Sequence, residues 1–158
     1  MKKRPYIIAF FVFLIDFLSK QLVTNLMKLN QDISIIPNFF SLNYVQNTGA
    51  AWSILKDQRI LLLIITVIVL FLISKHLHKE NLSKPEEIAF GIILGGILGN
   101  LFDRLFYQYV IDFLSFNFFG YQYPIFNLAD TFIVCGVIFL IIITIRKESH
   151  GKNRSSSI

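Results

Sequence analysis

Cysteine occurs once, at Cys135, which excludes an intramolecular disulfide and any metal site built from cysteines alone. In an apolar run without a neighbouring base, that lone thiol reads as packing. Histidine occurs three times, at His76, His78 and His150. His76 and His78 are two apart in a basic stretch, so they do not face each other on a helix and read as a solvated face. Charge is scarce: 16% of the 158 residues are charged and 54% are hydrophobic. Apolar runs long enough to cross a bilayer recur along the chain, which a soluble domain of this size does not need. The formal net charge of +5 does not argue for nucleic acid. Its basic residues cluster at Lys2-Lys3-Arg4, at Lys75, Lys79 and Lys84, and at Arg146, Lys147, Lys152 and Arg154. They flank the hydrophobic runs as positive-inside topology requires.

Four spans are expected, at about 6–27, 58–75, 87–106 and 126–146, in a single integral membrane domain over 1–158. The first run is too long for a signal-peptide core, contains Asp16 and lacks a small-x-small cleavage site after it, so it reads as an uncleaved helix. Both termini then lie in the cytoplasm, and the segments at about 30–55 and 107–125 lie outside. In the first of these, Ile33-Ser34-Ile35 and Leu42-Asn43-Tyr44-Val45 favour strands, with turn signals at Pro37-Asn38 and Asn47-Thr48-Gly49. A small β-sheet resting on the membrane surface is expected, with Trp52 suited to the interface. The second carries eight aromatic residues between Tyr107 and Pro124 and reads as an interfacial loop able to act as a lid. The tail 148–158 is polar, Ser-rich and expected to be disordered. The fold class is thus membrane and mainly α, with four transmembrane helices, a small extracytoplasmic sheet and an aromatic interfacial loop or helix.

Polar residues that persist inside apolar runs are costly unless paired, hydrated or used. Asp16 and Lys20 are four apart, share a helix face and can pair, either as a structural ion pair or as part of a site. Gly91, Gly95 and Gly99 form a small-residue stripe along which another helix can approach. Gly96, Asn100, Asp103 and Arg104 occupy an adjoining face. At ~1.5 Å per residue Asp103 lies roughly 22 Å from Ile88, in the outer part of the bilayer. Asp103-Arg104 alone reads as a helix-end pair, whereas a buried Asn100 wants several hydrogen-bond partners. Asp112 is the only charge among the aromatics of the second outer segment, and Asn127 and Asp130 share one face at the start of the last helix.

This topology gathers Asn47, Asn100, Asp103, Arg104, Asp112, Asn127 and Asp130 near the outer leaflet and leaves every histidine on the inner side. Histidine-dependent nucleophilic catalysis and histidine-ligated zinc then have no base or ligand within reach. A hard cation on Asp103, Asp112 and Asp130 stays open. Two carboxylates in a poorly hydrated site cannot both ionise cheaply, so one keeps a proton. Such a pair can activate water against a peptide carbonyl, and can equally serve a small transporter or proton relay.

Five motifs narrow the choice: Asp16-x-x-x-Lys20; Asn47-x-Gly49-Ala50-Ala51; Gly95-Gly96-x-x-Gly99-Asn100-x-x-Asp103-Arg104; Val110-Ile111-Asp112-Phe113; and Phe126-Asn127-x-Ala129-Asp130. In this order the chain resembles the bacterial lipoprotein signal peptidases, the type II signal peptidases, from Asp16 to Asp130. The resemblance implies that Asp112 and Asp130 are the catalytic aspartates and needs neither metal nor cofactor. It implies that Asp16, Lys20, Asn47, Gly49, Asn100, Asp103, Arg104, Asn127 and Ala129 support the site or bind substrate. The implied reaction is cleavage of prolipoproteins just before the lipobox cysteine, once diacylglyceryl-modified, in the bacterial inner membrane. Globomycin-type peptides are the implied inhibitors and membrane lipid the implied surroundings. Phe17, Gln108 and Ile111 stand where the family usually has glutamine, often glycine and commonly valine. Glycine tolerates backbone angles that glutamine does not.

Overall fold

The computed structural model describes residues 3–50, 54–79 and 81–155; Ala51 and Trp52 lie outside them. In chain order the elements are α1 (Arg4–Leu26), β1 (Asp32–Ile36), β2 (Phe40–Asn47), α2 (Arg59–Lys79), α3 (Lys84–Phe106), β3 (Val110–Phe118), β4 (Tyr121–Gln122) and α4 (Leu128–Ser155). Among the described residues four helices are long and apolar enough to cross a membrane. Of these, α3 has the lowest mean hydropathy, 1.5; it carries Asn100, Asp103 and Arg104 in its C-terminal half.

Small residues decide how the helices meet. A Cβ on Gly91 would stand 2.8 Å from Ile8 Cβ and from the Pro5 carbonyl, and one on Gly95 would stand 2.5 Å from Val12 Cβ. The expected stripe therefore receives α1. Gly96 takes the opposite side, where an added Cβ would lie 2.5 Å from the Ala129 carbonyl of α4. With glycines on two sides, α3 is the central helix, and close backbone approach replaces the hydrophobic drive that lipid does not provide. At the end remote from the sheet, Arg4 pairs with Glu87 at 2.9 Å and Lys147 with Glu86 at 3.3 Å, tying α1 and α4 to the start of α3. Pro85 sits in that first turn, where its missing N–H costs nothing, and the Ser83 N–H donates to the Glu86 carboxylate at 2.7 Å.

The four strands form one antiparallel sheet in the order β1-β2-β3-β4. Here the structure corrects the expectation for 107–125. That segment is mostly strand: β3 pairs along β2, from Phe40 opposite Phe116 to Asn47 opposite Val110. A short hairpin through Phe119 and Gly120 then leads into β4. Its aromatic residues are strand formers that stack across the ladder, as Phe40 does on Phe116 at 4.7 Å. With its backbone bonded to a neighbouring strand, β3 is part of the scaffold. The tail expectation changes too, since α4 continues to Ser155. A helix already nucleated by a long apolar run gains one hydrogen bond for each residue added.

Gln108 turns the chain from α3 into β3 with φ +73°, and its N–H donates to the Asp103 carbonyl at 3.2 Å. This is the left-handed residue that closes many helices, and glutamine occupies it in place of glycine.

Candidate active site

The site is assembled where the sheet meets the adjoining ends of α1, α3 and α4. Val45 of β2 lies opposite Asp112 of β3, so the ladder places Asn47 two residues further on, within reach of that carboxylate. Beyond β4 the chain is pinned back to the sheet: Phe126 donates to the Leu114 carbonyl at 3.1 Å and accepts from the Leu114 N–H at 2.8 Å. The residue after Phe126 caps α4. Asn127 Oδ1 accepts the Asp130 N–H at 3.0 Å, and Asp130 Oδ2 accepts the Asn127 N–H at 3.3 Å. This is a reciprocal capping box with aspartate in the usual glutamate place. The spacing Asn127-x-x-Asp130 is its sequence signal, which the shared-face reading passed over.

Asp112 is buried and accepts two side-chain amides: Asn47 Nδ2 at 2.8 Å on Oδ2 and Asn127 Nδ2 at 2.7 Å on Oδ1. Asp130 is half-buried and accepts Asn100 Nδ2 at 2.7 Å on Oδ1. Asn100 Oδ1 in turn accepts Asn127 Nδ2 and Lys20 Nζ, both at 3.1 Å. Three asparagines thus hold two carboxylates in one continuous network. Burial pushes Asp112 up to about 7, with the nearby negative charge of Asp130 as the next cause, against the lowering effect of the Asn47 and Asn127 amides.

Both carboxylates line a cavity of about 460 Å³. Its lining includes the polar Asn47, Asn100 and Arg104 and the largely apolar Tyr123, Ile125 and Val134. Arg104 is held by the Gly49 carbonyl at 3.0 Å. Gly49 is fixed in turn by its N–H on Asn47 Oδ1 at 2.9 Å. The helix-end pairing of Asp103 with Arg104 is not found: Asp103 turns away, to Lys20 at 2.9 Å. The three aspartates accordingly do not form a cation cage, and among the described residues no group of three His, Cys, Asp or Glu side chains is placed to hold a metal. Cys135, expected in packing, is exposed and lines the cavity, because most of α4 faces outward.

Asp16 and Lys20 pair at 2.8 Å, both buried, and Asp16 also receives the Ala129 N–H at 2.8 Å. Gly99 makes room for this: an added Cβ would run into the Asp16 carboxylate. Gly99→Ala is expected to displace that carboxylate, lowering stability by about 1–3 kcal/mol as overpacking does. Activity should fall with it, and thermal unfolding in detergent beside a cleavage assay checks both.

Sequence reasoning missed Arg59. Its guanidinium donates to the carbonyls of Arg104 at 2.8 Å and Leu105 at 3.1 Å, fastening the start of α2 to the C-terminal end of α3. A basic residue opening a helix gave no signal that it would close a different one.

Comparison with known proteins follows this geometry. Residues 8–146 match the family model described as signal peptidase (SPase) II. A lipoprotein signal peptidase from Halothermothrix orenii is 40% identical over 146 residues, spanning 92% of this chain and 98% of that one. A bacterial membrane enzyme solved in meso at 2.3 Å superposes with a TM-score of 0.85 at 34% identity, covering 92% of this chain and 90% of its own. A second, solved at 1.9 Å, gives 0.80 at 35% identity over 89% and 91%.

Proposed function

The chain belongs to the signal peptidase II family and is a membrane peptidase that removes signal peptides; we propose that it does so as a metal-free aspartic endopeptidase, with Asp112 and Asp130 as the catalytic pair. Its substrates are diacylglyceryl-modified prolipoproteins, cut immediately before the modified cysteine. The observation that carries this reading is the double use of Asn127. Its side chain holds Asp112 while its backbone N–H holds Asp130, so the two carboxylates meet at one cavity as a unit.

Asp112, buried and kept protonated up to about pH 7, is the acid of the pair. Asp130 is the base, at the first turn of α4, where it accepts the Asn100 side-chain amide and the Asn127 N–H. A water between them gives one proton to Asp130 as its oxygen bonds to the scissile carbonyl carbon. The Asp112 proton passes to the carbonyl oxygen. Collapse of the tetrahedral intermediate returns that proton to Asp112, while the proton on Asp130 goes to the departing amine as the C–N bond breaks. Atoms and charges balance without a nucleophilic side chain.

In the membrane both termini lie in the cytoplasm and the pair lies near the outer leaflet. The acyl chains of the substrate extend past the apolar lining of the cavity into lipid, and the peptide crosses the polar lining. Globomycin-type peptides compete for that path.

The test is cleavage of a diacylglyceryl-modified prolipoprotein by the detergent-purified protein, with and without chelator. Cleavage before the modified cysteine is expected in both. Loss of cleavage in chelator alone would replace the metal-free mechanism by a cation-dependent one. A folded protein inert towards the substrate would remove the substrate assignment.

A further inference from the structure

Behind the cavity lies a buried charge cluster, Asp16, Lys20 and Asp103, that does not line it. Asp16 comes from α1 and Asp103 from α3. Each accepts a backbone N–H from the residue immediately before one member of the pair. Ala129, which precedes Asp130, donates to Asp16 Oδ1 at 2.8 Å. Ile111, which precedes Asp112, donates to Asp103 Oδ2 at 3.1 Å. Between the two carboxylates sits Lys20 Nζ, 2.8 Å from Asp16 Oδ2 and 2.9 Å from Asp103 Oδ2. Its third contact is Asn100 Oδ1 at 3.1 Å, the amide that also donates to Asp130.

We propose that Lys20 is the positioning residue of the site: one ammonium ties together the two carboxylates that anchor β3 at Ile111 and α4 at Ala129, and so sets the separation of Asp112 and Asp130. The proposal rests on the reading of those aspartates as the catalytic pair. The ammonium ion-pairs with two carboxylates and hydrogen-bonds the Asn100 amide oxygen, so oxygens from two helices lie within 3.1 Å of it. Neutralising Asp16 would need only the contact one turn along α1. Reaching Asp103 and Asn100 as well makes the lysine a junction among α1, α3, β3 and α4. With Lys20 1% and Asp16 0% exposed, these contacts are shielded from bulk solvent. A planar guanidinium cannot converge three donors on that point, so arginine is no replacement.

The experiment uses the full chain in detergent or nanodiscs and compares wild type with Lys20→Met. It adds the triple variant Lys20→Met/Asp16→Asn/Asp103→Asn, which removes the buried charges together while leaving an amide oxygen to accept each backbone N–H. Two readouts are taken: kcat and KM on a diacylglyceryl prolipoprotein, and the amide-proton shifts of Ile111 and Ala129. Expected for both variants is a kcat lower by about 100-fold with KM changed less than about threefold, the loss typical of a small misplacement of reacting groups. Both amide signals should move together in Lys20→Met. A lysine that merely neutralised charge would let the triple variant recover wild-type kcat, and that result would overturn the proposal. Ile111 or Ala129 staying put in Lys20→Met would overturn it as well. Should wild type fail to cleave, the peptidase reading falls, and the two amide shifts still decide whether Lys20 links the two anchors.

Discussion

Asp112→Asn and Asp130→Asn are each expected to lower kcat on a diacylglyceryl prolipoprotein by about 10⁴-fold or more, the scale seen when one member of a catalytic unit is removed. Combining them should cost little beyond either alone, because in the proposed mechanism acid and base act in the same step. The loss should not come from unfolding. Asp112 is the costly group to keep buried: its folded pKa of about 7 lies above the ordinary value of 3.8. A carboxyl raised in this way weakens the folded state progressively as pH climbs from about 4 to about 7, where the unfolded chain ionises first. Asp112→Asn removes that dependence, so its melting temperature should improve relative to wild type over the same window. Activity has the complementary profile. Wild-type kcat should decline above pH 7, by about tenfold per unit, as the pair loses its one proton. A pH-independent difference in melting temperature between wild type and Asp112→Asn would contradict the assignment of Asp112 as the buried acid.

The residues that make up this network were legible in the sequence because they break the pattern around them. Asp16, Lys20, Asn100 and Asp103 interrupt apolar helices, and Asp112 stands alone among aromatics, so their residue types gave them away before any geometry did. Their connections were not legible. Spacing relates residues within one helix, as with Asp16 and Lys20, but whether Lys20 also reaches Asp103 depends on how closely α1 and α3 approach. The Gly91-Gly95-Gly99 stripe permits that approach without fixing its register. The segment holding Asp112 misled for a different reason. Its aromatic density suits a membrane interface and a β-strand equally, and only pairing with β2 distinguishes them. At Gln108 the glutamine itself does not announce the positive φ of the turn that starts the strand; the glycine often found there in the family does. At Asn127 and Asp130 two signals coincided, a helix cap and a polar face, and the residues serve as both.

That coincidence gives the other large effect. Asn127→Ala removes the acceptor for the Asp130 N–H, the donor to Asp112 and the donor to Asn100 at once. Loss of the cap costs about 1 kcal/mol. Loss of a preorganised amide beside the reacting groups costs about 10²–10³-fold in kcat. The two contributions separate in Asn127→Ser. A serine hydroxyl is a good cap and can still accept the Asp130 N–H, but it is too short to carry an amide to Asp112 and Asn100. Asn127→Ser should therefore melt near wild type while remaining slow by about the same 10²–10³-fold. Were Asn127 only a helix cap, serine would restore activity along with stability. Slow turnover in a normally stable Asn127→Ser protein would mean that the capping residue of α4 also holds the acid of the pair in place, so that the helix start and the active site are one structure.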